Sequence, residues 1–248
     1  MKSALSKRFS LCPQTLIPSR CSSVGFLFVA LSLVSPSSSA HAKPHRDDIQ
    51  HQYQVLVPYK SQIAERLDSA SSLIDHIFKQ LKLKSLPANL VLVPMLESSY
   101  NLDAVSHANA AGLWQLIPAT AIRFGLQVSS DNDQRFDAEA STQAALAYLA
   151  FLYQKFGHDI TLTLAAYNAG EGRVARAIKR AGTDDFNLLT LPKETQQYVQ
   201  RFYALEQLVD VSKLRSDSFQ PLLLFSSPSV HHPQPLIDLG RLPPLIDL

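Results

Sequence analysis

Residues 138–156, AEASTQAALAYLAFLYQKF, decide the fold class. Alanine and leucine form helices readily. A run of this length, rich in them and in aromatics, reads as a buried helix, and Gly157 stops it. The same reading extends outward. Downstream, residues 160–169 form a second apolar helix ended by Gly170, and Arg173 to Arg180 continue helically to Gly182. Pro192 then opens a last amphipathic helix reaching about Leu214. Upstream, DNDQRFD (131–137) is a polar turn, and Pro118 opens a short helix ending at Gly125. From Ser61 to Leu83, Ile63, Leu67, Leu73, Ile74, Ile77, Phe78 and Leu81 recur at three- and four-residue spacing. Strand signals are almost absent. The expected folded unit is all-α, residues 55–214, preceded by a flexible segment, 43–54, that is polar and charged at its start.

The two ends of the chain differ from this middle. Residues 1–42 read as a cleavable signal peptide. Lys2, Lys7, Arg8 and Arg20 are basic, GFLFVALSLVS (25–35) is an apolar core too short to span a bilayer comfortably, and Ala40-His41-Ala42 is a cleavage signal. An uncleaved N-terminal anchor is the alternative. Both cysteines, Cys12 and Cys21, fall in this leader. The chain has 23 Lys+Arg and 21 Asp+Glu; without the leader's four basic residues, 19 face 21, a net charge of −2. That balance argues against a nucleic-acid partner. No later segment reaches membrane-spanning length, so the expected product is exported and periplasmic. Residues 215–248 hold six of the 15 prolines and repeat PLIDL at 235–239 and 244–248. This tail reads as a disordered extension or as a docking peptide for a protein partner.

The chemistry sits in LVLVPMLESSYNLDAVSHANAAGLWQL, residues 90–116. An apolar run ends on a lone carboxylate, Glu97, and no Lys or Arg lies between Lys84 and Arg123. A carboxyl held against apolar side chains loses hydration of its charged form, so its pKa rises and it can donate a proton near neutral pH. A glutamate that faces solvent or bonds a loop amide is the plainer alternative. Trp114 and Tyr100 suit stacking on sugar rings, and Trp114 suits the core equally well. Asp103, Asp131, Asp133 and Asp137 are most simply turn or helix-cap residues. Glu171 and Arg173 read as a solvated helix start. The histidines show no ligand spacing, so neither a metal nor a cofactor is expected.

The ordered motifs ESSYN (97–101), Ser106, GLWQ (112–115), AYNAG (166–170) and LPKETQQYV (191–199) resemble those of the soluble-lytic-transglycosylase superfamily, most closely the membrane-bound lytic transglycosylase D type. The resemblance spans about residues 55–212. It implies a lysozyme-like helical domain with a deep substrate groove that cleaves the glycan strands of peptidoglycan without water, leaving 1,6-anhydromuramic ends. Carried over by position, it implies Glu97 as the single acid and base. It implies that Ser106, Gln115, Tyr167 and Asn168 contact the sugar, and that Glu194 and Tyr198 close the groove. Tyr167 is expected to hydrogen-bond near Glu97. Asn109 stands where many members carry glycine, and asparagine tolerates the left-handed backbone such a position demands. The tail is too short, and of the wrong composition, for the glycan-binding repeats of the nearest relatives. A goose-type lysozyme that hydrolyses with water, or an inactive peptidoglycan-binding scaffold, are the rival readings.

Overall fold

A computed structural model describes residues 42–214. The leader up to residue 41 and the tail 215–248 lie outside the described residues. Within them the secondary structure is helical, with three isolated β-bridges in place of strands. No described helix is long and apolar enough to cross a membrane.

Helices α6 (Ala138–Lys155) and α7 (Ile160–Ala169) pack against each other across the turn at Gly157. The backbone is left-handed there, at φ 65, which glycine adopts without strain. Asp137 caps α6 by accepting from the Ala140 N–H, and Asp159 caps α7 by accepting from the Leu162 N–H. Helix α7 is buried almost all round. Its two buried threonines are satisfied: Thr161 pairs with the Tyr203 hydroxyl at 2.8 Å, and Thr163 donates to the Asp159 carbonyl at 2.6 Å. Helix α8 (Glu171–Ala181) lays Val174 and Ala177 on α7 and exposes its charged face. Helix α9 (Lys193–Leu208) crosses the other side of α7 and touches α4 (Val93–Ser98).

Three expectations are corrected. The segment expected to be flexible, residues 43–54, lies mostly in helix α1 (Arg46–Leu56), which packs along α9. Ile49, Gln52 and Leu56 form its buried face, and Gln52 accepts from the Arg201 guanidinium at 3.3 Å. That stripe holds only two aliphatic residues, too few to stand out in a polar sequence. The start is further helped by Asp47 and Asp48 in the first turn, where carboxylates favour the helix dipole. The long periodic segment is also divided, at Ala70, into α2 (Lys60–Ser69) and α3 (Ser71–Leu83). The last long helix stops at Leu208, and a 3₁₀ turn over Val211–Leu214 follows.

Candidate active site

Glu97 is placed by a short, rigid construction. A 3₁₀ turn over Ala88–Leu92 leads into α4, whose second residue is Pro94, a position where a helix loses nothing by lacking an N–H. Val93, Pro94, Met95 and Leu96 are all buried. The helix ends one residue after Glu97. Ser99 and Tyr100 then take successive left-handed conformations, at φ 51 and 62, and turn the chain sharply away. Non-glycine residues enter that region at a cost of order 1 kcal/mol each. Three hydrogen bonds and a buried ring hold the turn. The Ser99 and Tyr100 N–H groups donate to the Met95 and Pro94 carbonyls, and the Ser98 hydroxyl donates to the Leu113 carbonyl at 2.8 Å. The Tyr100 ring is 8% exposed, with its hydroxyl on the Val91 carbonyl.

The loop from Asn101 to Ile117 forms the floor. Asn109 is left-handed at φ 58, as its position requires. The Gly112 N–H donates to the Ala104 carbonyl at 2.8 Å, and a Cβ at residue 112 would stand 1.9 Å from the Arg135 carbonyl oxygen. Arg135 is buried and ties the loop down. Its guanidinium donates to the Asn109 and Leu116 carbonyls and to both oxygens of Asp133. Gln115, also left-handed, donates through Nε2 to the Ala104 and Gly112 carbonyls. Its Oε1 is buried and has no protein partner. A buried acceptor left open in this way is suited to a ligand donor.

These elements enclose a cleft of about 190 Å³, lined by Glu97, Gln115, Leu116, Ile117, Thr120, Tyr148, Tyr167, Asn168, Gly170 and Glu171. Glu97 is half-buried, and desolvation pushes its pKa up to about 8. The Tyr198 hydroxyl donates to Glu97 Oε1 at 2.7 Å and opposes that rise, and the nearby charge of Glu194 adds to it. Glu194 and Tyr198 lie four residues apart on one face of α9, so the same helix supplies the phenol bonded to Glu97 and the charge that acts on it. Glu194 is itself raised by burial, against the pull of Arg201.

The geometry revises several expected roles. Trp114 is 0% exposed and its ring N–H donates to the Thr142 hydroxyl at 3.0 Å, so it is a core residue with no face for a sugar. Tyr100 is likewise committed to the core. Ser106 holds its own turn, its hydroxyl accepting from the Ala110 N–H at 3.0 Å, and does not line the cleft. Tyr167 lines the cleft, but its hydroxyl donates to the Trp114 carbonyl at 2.7 Å; the phenol bonded to Glu97 is Tyr198. Gln115 and Asn168 lie in the cleft as expected. Asp133 and Asp137 are cap residues.

Sequence reasoning missed Tyr148, Thr120 and Glu171. Glu171 was expected to be solvated; instead it lines the cleft, bonded to Arg123 and within 3.3 Å of the Tyr148 hydroxyl. The available signal was its place directly after AYNAG. Among the described residues, no group of three or more His, Cys, Asp or Glu could hold a metal. A larger cavity, about 550 Å³, lies between α2 and the end of α9 and shares no residue with the Glu97 cleft.

Residues 76–190 match the transglycosylase SLT domain family. Over 174 residues the chain is 42% identical to membrane-bound lytic murein transglycosylase D of Escherichia coli K12, covering 68% of this chain and 38% of that protein. The soluble lytic murein transglycosylase of the same strain is 34% identical over 96 residues, 37% of this chain and 15% of that one. A solved complex of the 70-kDa soluble lytic transglycosylase with bulgecin A superposes with a TM-score of 0.50 at 25% identity, over 66% of this chain and 29% of that one. The chain thus spans well under half the length of these relatives. The fold class is all-α and lysozyme-like.

Proposed function

We propose that this chain, a member of the transglycosylase SLT-domain family, is a peptidoglycan lytic transglycosylase with Glu97 as its only proton-transferring residue. The observation that carries this reading is the placement of Glu97, set behind the buried segment 93–96 and opening onto a cleft whose other polar groups can hold a sugar, where desolvation pushes its pKa up to about 8. Glu97 gives its proton to the oxygen joining N-acetylmuramic acid to N-acetylglucosamine, and the bond from that oxygen to the muramyl C1 breaks. Positive charge develops at C1, and the substrate's own acetamido oxygen can stabilise it. Glu97, now a carboxylate, takes the proton of the muramyl C6 hydroxyl as that oxygen bonds C1. The proton count closes on Glu97 and no water is consumed. Tyr198 steadies the carboxylate form between the two transfers, since a hydrogen bond to the charged oxygen favours it. Gln115, Tyr167 and Asn168 hold the sugar. Glu194 acts through its charge on Glu97. Ser106 contributes by shaping the loop.

Residues 1–42 direct export to the periplasm and are removed after Ala42; the catalytic domain runs to residue 214; and the tail with its PLIDL repeats is either a plain extension or a docking peptide for a protein partner. One observation favours a hydrolytic rival: Glu171 places a second carboxylate on the cleft, and glycosidases that use water commonly work with two. Mass spectrometry of digested sacculi separates the two readings. Anhydromuramic ends support transglycosylation, and reducing muramic ends with the same yield contradict it.

A further inference from the structure

Glu171 is the first residue of α8, directly after Gly170, which has a φ of 84, and both residues line the cleft. Both of its carboxylate oxygens are held. Arg123, at the end of α5 (Pro118–Arg123), donates to Oε1, and the Tyr148 hydroxyl lies 3.3 Å from Oε2. Arg123 is itself steadied by the Phe124 and Phe151 rings, 5.2 and 4.7 Å from its guanidinium carbon. Tyr148 is buried and packs on the ring of Tyr167, centroids 5.4 Å apart. A carboxylate offers about four lone-pair sites; Arg123, Tyr148 and the residue's own backbone occupy three, which leaves one open.

The geometry points to Glu171 as a substrate-binding carboxylate, accepting a hydrogen bond from a neutral donor of the sugar in the cleft, a hydroxyl or an amide N–H. This rests on the reading of Glu97 given above. Three features support it. The group lines the same cleft as Glu97, with Gln115 and Asn168 beside it. Arg123 already balances its charge, so it selects a neutral donor over a second cation. An ion pair this exposed contributes only about 0–1 kcal/mol to stability, so wall-building alone is a weak reason to pin both oxygens. Burial raises the pKa of Glu171, and the Arg123 hydrogen bond, its own backbone, the Arg123 charge and Tyr148 outweigh this and hold it below the usual value. It is therefore charged across the working range, and a hydrogen bond to a charged acceptor is stronger than one to a neutral amide.

The test uses the full chain, uncrosslinked glycan strands, and pH profiles of kcat/KM. Glu171→Gln is expected to lower kcat/KM about 10- to 100-fold, the range for losing one charge-assisted hydrogen bond, and to remove the acidic limb of the profile. Arg123→Gln keeps the carboxylate; it is expected to cost about threefold and to move the acidic limb to higher pH. A second measurement needs no turnover: in the Glu97→Gln background, adding Glu171→Gln weakens glycan-strand binding about tenfold. Equal binding in that background overturns the inference. So does a Glu171→Gln profile of unchanged shape, or equal losses of activity and Tm in both single variants. Failure of the transglycosylase reading looks different, because the unsubstituted chain would then release no anhydromuramic ends.

Discussion

Two glutamates line the cleft, and their surroundings treat them in opposite ways. Glu97 sits where α4 meets α9, beside the buried Leu96 and Met95 and near the phenols of Tyr167 and Tyr198, and its charge finds one hydrogen bond and a like-charged neighbour. Glu171 sits where α5, α6 and α8 meet, against a guanidinium and a hydroxyl. The first is pushed up to about 8 and the second is held below the ordinary carboxylate range. The same residue type is thus pushed toward the acid in one setting and toward the anion in the other. Desolvation is the leading cause at both positions; at Glu171 the hydrogen bond and charge of Arg123, the residue's own backbone and Tyr148 outweigh it, and at Glu97 the Tyr198 hydrogen bond does not.

The largest expected effect comes from breaking the apolar setting. Glu97→Gln keeps the shape and can still accept from Tyr198, but it has no proton to give. Release of anhydromuramic products is expected to fall by about a thousandfold, within the usual range for a general acid, while Tm changes little. Product analysis and calorimetry on the same preparation check both statements. Next comes the floor of the cleft. Gly112→Ala would drive a methyl onto the Arg135 carbonyl at a left-handed backbone position. A loss of roughly 3 kcal/mol in urea unfolding is expected, typical of strain at a crowded site. A smaller effect sharpens the comparison. Tyr198 lowers the pKa of Glu97 by donating to it, so Tyr198→Phe is expected to move the basic limb of the kcat/KM profile to higher pH. The sign follows because the proposed mechanism needs protonated Glu97, so activity should decline as pH rises through its pKa. A limb that moves to lower pH would show that the phenol acts otherwise.

Much of this was legible in the sequence. The all-α class followed from the Ala- and Leu-rich run at 138–156 and from glycine and proline punctuation, which are local signals. Glu97 was legible because the apolar residues that desolvate it are its chain neighbours. The contacts that complete the site are not local. Tyr198 reaches Glu97 across 101 positions, and Arg123 meets Glu171 across 48. Neither pairing leaves a mark in spacing. Trp114 and Tyr100 were ambiguous for a related reason: an aromatic beside a catalytic motif serves the core or a sugar equally well by composition. Only the Thr142 hydroxyl and the Val91 carbonyl settle them as core. Helix α1 was missed because two aliphatic residues and Gln52 make too faint a stripe.

The central claim concerns a proton, and it can be observed directly. The side-chain carboxyl carbon of Glu97, labelled with ¹³C and assigned by comparison with Glu97→Gln, can be titrated by NMR in the substrate-free protein. A midpoint about 8 is the predicted result. A midpoint near 4.5, the ordinary value for a glutamate, would mean that Glu97 is already charged at neutral pH and has no proton to give.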